Sequence, residues 1–94
     1  MKLHLIIKKK WADAILFLGK KEEYRSNTPY YQTRILKHKE DIKEVVFHVG
    51  YTKKTFTCTL SKLPYIGLGK PIWGAPYSEK CIILSLGDII AVDL

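Results

Sequence analysis

The chain has 94 residues, 47% hydrophobic and 27% charged, with a net charge of +7. That balance argues against disorder, which needs an apolar-poor chain, and fits one domain (1–94) with a small core. No apolar run approaches the roughly 20 residues of a membrane helix, and residues 1–7 are too short for an apolar secretion segment, with their charges misplaced for one.

The basic surface, with a pI of about 9.5, favours anionic partners, nucleic acid before acidic protein or lipid. A basic surface with no such partner is equally compatible with the charge alone. Cys58 and Cys81 fall in apolar or alternating stretches and read as buried small hydrophobes. A reducing cytoplasm suits them, and no paired-cysteine metal spacing exists.

Residues 2–8 alternate, with Leu3, Leu5 and Ile7 on one face of a strand. Over residues 10–18 the period changes. Trp11, Ala14, Ile15 and Leu18 form the buried stripe of an amphipathic helix. Asp13 suits the positive end of that helix, and Gly19 suits its C-terminal cap. Residues 21–26 then read as a strand with Lys21, Glu23 and Arg25 on one face and Glu22 and Tyr24 on the other.

Asn27 or Thr28 caps a second helix with Pro29 at its first position, running over residues 30–36. Residues 38–43 are a polar loop. Residues 44–51 and 55–61 alternate and form an antiparallel hairpin. Val45, Phe47, Val49 and Tyr51 point inward from the first strand, and Phe56, Cys58 and Leu60 from the second. Residues 63–77 form a loop rich in Gly, Pro and aromatics, which must fold back onto the domain or bind something. Residues 81–86 are almost continuously apolar, as in a central strand covered on both faces. Gly87-Asp88 signals a turn before a final apolar piece, 89–92. Five or six short strands with one or two small helices make an α+β fold: a curved, mostly antiparallel sheet or partly closed barrel with a helix at one end.

The densest chemistry lies in Gly19-Lys20-Lys21-Glu22-Glu23-Tyr24-Arg25. Lysine beside a carboxylate is an acid–base pair, and arginine is a planar fork for phosphate or a base edge. A solvated edge strand carrying charge is the structural alternative. Gly67-Leu68-Gly69-Lys70 lacks the spacing of a phosphate loop. Its surroundings present Trp73 and Tyr77 for base stacking, unless Trp73 closes the core instead. His4, His38 and His48 have no ligand spacing, so no metal site and no cofactor are expected.

The ordered set of these segments resembles the ASCH domain family, relatives of the PUA RNA-binding domains, and within it the small phage- and prophage-type members. The resemblance rests on Trp11-Ala12-Asp13-Ala14-Ile15, on Gly19 followed by Lys20 to Arg25, and on Pro29-Tyr30-Tyr31. It continues through Phe47-His48-Val49-Gly50-Tyr51, Gly67-x-Gly69, Trp73-Gly74-Ala75-Pro76 and Leu84 to Ile90. It implies a PUA-like β-barrel whose charged strand lines a cleft, and an RNA or nucleotide partner. Lys20, Lys21, Glu23, Tyr24, Arg25 and Trp73 are then the binding candidates.

Some members of that family hydrolyse acetylated cytidine, using a lysine and a threonine of the charged stretch and a later glutamate. On that reading Lys20, Lys21 and Glu23 are the catalytic candidates. Glu23 stands where the threonine would be, and no later glutamate matches, Glu79 being merely nearby. Counting from Arg25 selects Lys20 as the family lysine; counting from Gly19 selects Lys21, as strand alternation does. A module that binds a protein through its aromatic loop is the third reading.

Overall fold

The computed structural model describes residues 1–94. It is an α+β fold in which a six-stranded sheet curls into a half-barrel. In chain order the elements are β1 (Lys2–Ile7), α1 (Lys9–Phe17), β2 (Glu22–Arg25), α2 (Pro29–Arg34), β3 (Glu44–Val49), β4 (Thr55–Leu60), β5 (Tyr65–Gly67) and β6 (Cys81–Asp93). Short 3-10 turns lie at Leu36–His38 and Pro71–Trp73. The strands run β1-β3-β4-β6-β2, with β5 also on β6. All neighbours are antiparallel except β1 and β3, which are parallel.

Alternation dictates the core. Leu3, Leu5 and Ile7 meet Val45, Phe47 and Val49 on the inner face, where Phe56 and Cys58 join them. Ala12 and Ile15 of α1 and Ile35 after α2 cover this layer. The Phe47 and Phe56 rings lie 5.1 Å apart, tilted rather than stacked. Ile42, in the stretch read as polar loop, is buried in the same core.

The first half of β6, from Cys81 to Leu86, is fully buried, because β2 flanks one side and β5 and then β4 flank the other. The expected turn at Gly87-Asp88 is instead a bulge inside β6. Two steps along β4, from Cys58 to Leu60, match three steps along β6, from Ile89 to Leu86. Glycine is required there: a Cβ on Gly87 would stand 2.4 Å from Thr59 Oγ1. The same hydroxyl accepts the Asp88 amide proton at 2.9 Å. The strand therefore continues, and Ile90 and Val92 are exposed beyond the bulge.

Two helix details also differ from the periodicity. The α1 stripe is Ala12, Ala14 and Ile15, with Trp11 half-buried. Leu18 lies outside the helix and is 66% exposed. Asp13 is past the first turn and pairs with Lys9 at 2.6 Å, an exposed i,i+4 contact. α2 begins as its residues dictate, with the Thr28 hydroxyl accepting from the Tyr31 amide and Pro29 following the cap.

The sheet order leaves β1 and β2 as its two end strands. The curl brings them face to face, and a side chain rather than a backbone ladder spans the seam. Arg25 of β2 donates through Nη2 to the Ile6 carbonyl of β1 at 2.9 Å. No helix is long and apolar enough to cross a membrane.

Candidate functional site

The seam opens into a cleft of about 460 Å³, bordered by Ile6 and Ile7 of β1, Glu23 to Arg25 of β2 and the loop at Trp73. This lies within the size range of small-molecule sites.

Its floor is built by the end of α1. Gly19 adopts φ +80, the left-handed conformation that ends helices. The Lys20 amide then donates back across this turn to the Ala14 carbonyl at 3.0 Å. That turn sends the Lys20 side chain inward, where it is 1% exposed. Its ammonium donates to Glu23 Oε1 at 2.8 Å. It also lies 4.5 Å from the centre of the Trp11 ring and 5.7 Å from that of Tyr24. These are the contacts of a cation: one carboxylate and two aromatic faces.

The other oxygen of Glu23, Oε2, accepts from Arg25 Nη2 at 2.7 Å. One carboxylate thus bridges two cations. Arg25 is fixed further by the Tyr31 hydroxyl, at 3.4 Å from Nη1, and by the Tyr31 ring, 5.8 Å from the guanidinium carbon. Its Nε is buried with no protein acceptor, a donor left over at the cleft. Carrying one negative charge against two positive ones, the triad keeps a net positive charge.

Strand alternation puts Lys21 beside Glu23 and Arg25, and the structure corrects this. β2 begins only at Glu22, after the glycine turn has reset the period, and Lys21 is exposed. Lys20 is the lysine in the cleft. Tyr24 lines the cleft too. Its hydroxyl donates to Glu22 at 2.7 Å and accepts from the Lys70 amide at 3.1 Å. Burial, helped by the Glu22 carboxylate, holds the phenol above its ordinary value, so it acts as a neutral donor. The glycine loop packs on this ring: a Cβ on Gly69 would come within 2.4 Å of it.

Trp73 is half-buried and borders the cleft, so it does not close the core. Two lining residues escape the sequence reading of the site. Trp11 reads as core because it lies on the helix stripe, yet it forms a cleft wall. Tyr51 reads as inward with Val49. Instead it sits in the turn after β3, 96% exposed, at the cleft mouth. Tyr77, the other stacking candidate, is 84% exposed and outside the cleft. Glu79 does not reach the triad; it borders a neighbouring cavity.

Of the scattered histidines, two meet. His4 Nδ1 and His48 Nε2 are 2.9 Å apart across the outer face of β1 and β3. No group of three or more His, Cys, Asp or Glu lies together as a metal would need. Both cysteines are free and buried. Comparison of the chain with known protein families, curated proteins and solved structures finds no match.

Proposed function

We propose that the seam cleft binds a nucleotide unit of RNA, and that the chain is an ASCH-type domain of the PUA-like group. One observation carries the reading. A buried, net-positive Lys20–Glu23–Arg25 triad forms the floor of a cleft whose walls are aromatic: Trp11, Tyr24, Tyr51 and Trp73. Aromatic faces stack on any base, and arginine donors read base-edge or phosphate oxygens. Glu23 orients Arg25 through the 2.7 Å bond. The overall charge of +7 draws the strand in from a distance. The family assignment is supported by the way the quoted motif segments converge: those around Trp11, Lys20 to Arg25, Gly50-Tyr51 and Trp73-Gly74 all border this cleft.

Binding is favoured over hydrolysis of an acetylated nucleoside. A lysine base must be free to take a proton, whereas Lys20 is engaged by a carboxylate and two rings. A titration with a random single-stranded RNA pool at two salt concentrations tests the reading. Binding that weakens as salt rises is expected, and Arg25→Met should abolish it. No binding to any RNA overturns it. Turnover of acetylcytidine that disappears in Lys20→Ala would move the cleft to the hydrolytic reading.

A further inference from the structure

The cleft does not end at the triad. A second cavity of about 300 Å³ lies against it, and Tyr24, Arg25, Ser26 and Gly74 line both. The two form one groove that crosses the end of β2. Their linings differ in kind. The first is walled by aromatic rings. The second is mainly polar, with Asn27, Glu79 and Lys80 at its border.

The polar groups of the second cavity are free to act on a ligand. Lys80 belongs to none of the four ion pairs of the molecule. Asn27 uses its side-chain oxygen to accept from Gln32 Nε2 at 2.9 Å, which leaves the amide hydrogens as outward donors. Glu79 is an unpaired acceptor. It repels phosphate but suits a sugar hydroxyl, so Lys80 and Asn27 are the groups placed for the phosphate.

Stacking walls followed by polar, phosphate-binding groups repeat the order of base and backbone along a single strand. Resting on the nucleotide reading of the first cavity, we infer that the groove takes a single-stranded RNA of at least two units. One base lies in the aromatic cleft. The adjoining sugar and phosphate lie across Ser26 and Asn27 against Lys80. A folded duplex does not fit this description, because its bases are paired and not available to enter the cleft.

The test is a tryptophan-fluorescence titration with the nucleoside uridine, which carries no phosphate, and with uridylate strands of two and four units. The expected result is at least a tenfold gain in affinity from one unit to two, with little further gain at four. Lys80→Ala should remove that gain, so that the variant binds the two-unit strand no better than the nucleoside. The slope of log affinity against log salt for the two-unit strand should fall by about 0.7, the share of one phosphate on a single strand. Lys80 is exposed, so the variant should fold; Lys80→Gln serves as a second variant of closer shape. Equal affinity for one, two and four units overturns the groove while leaving the cleft reading intact, as does a length gain that survives both Lys80 variants. Binding at no length overturns the cleft reading and the groove with it.

Discussion

Arg25 and Arg34 hold the same strand edge by the same two kinds of contact. Arg25 Nη2 donates to the Ile6 carbonyl at 2.9 Å, and Arg34 Nη2 donates to the His4 carbonyl at 2.6 Å. Each lies over a tyrosine of α2, Arg25 over Tyr31 and Arg34 over Tyr30. Together they occupy carbonyls on the outer edge of β1 that would otherwise offer a template for another strand. The difference lies behind the guanidinium. Arg25 also has Glu23 at 2.7 Å and, beyond it, buried Lys20. Arg34 has no carboxylate partner. Edge capping is therefore a general task of both arginines, while the cleft belongs to one. Variants at the two positions separate stability from recognition.

The sharpest break is at Glu23. Glu23→Gln leaves Lys20 and Arg25 as two cations without a counter-charge, Lys20 fully buried. Loss of one partner from a buried ion pair costs about 3–5 kcal/mol. Urea unfolding should register that loss. Glu44→Gln removes the partner of exposed Lys2, 3.8 Å away, and should cost less than about 1 kcal/mol. Similar losses in the two variants would show that the triad is not the structural centre of the seam.

Much of the fold was legible because the strands obey a period of two, which places Val45, Phe47 and Phe56 inside from sequence alone. The identity of the cleft lysine was not legible. Alternation counts from a strand's first residue, and the left-handed turn at Gly19 lies between the helix and that start. Gly87 misled in a related way: glycine marks turns, but here it is demanded by a neighbouring strand's Thr59, a tertiary contact with no local signature. Trp11 and Tyr51 were expected inside and border the seam instead. At that end β1 and β2 are joined by one side chain, so aromatics there face a cavity rather than a packed layer.

Stacking gives the next largest effect. Trp73→Ala should weaken binding of a single-stranded RNA by about 1–3 kcal/mol, the range for one base on one ring. Tyr30→Ala, on the Arg34 side and 61% exposed, should leave RNA affinity unchanged. Equal effects of the two substitutions in a filter-binding series would show that recognition is not confined to the seam.

The arginines themselves follow. Arg25→Lys keeps the charge but loses the fork that reaches Glu23 and the Ile6 carbonyl together. It should lower RNA affinity about tenfold, or about 1.4 kcal/mol. Arg34→Lys should cost about 1 kcal/mol of stability, one hydrogen bond's worth, and leave affinity within twofold. Matching affinity losses would mean that both arginines contact RNA.

The smallest effect serves as a control on the comparison, because it concerns a buried thiol that touches neither arginine. Burial pushes the Cys58 thiol up from an ordinary 9.0 to about 11. Below pH 9 the thiol is protonated in both the folded and the unfolded chain, and its contribution to stability is complete. Between 9 and 11 the unfolded chain releases the proton while the folded chain keeps it, so stability falls as pH rises, and the loss levels off above 11. At pH 9.5 it should amount to less than about 1 kcal/mol. Cys58→Ala will be less stable at neutral pH, since it leaves a small cavity beside Val45 and Ile89. Its urea midpoint should nevertheless decline less steeply from pH 8 to 10 than that of the native protein. Parallel declines in the two proteins would assign the alkaline loss to other groups, the cleft included, and Glu23→Gln would then have to be compared with Glu44→Gln at a single pH.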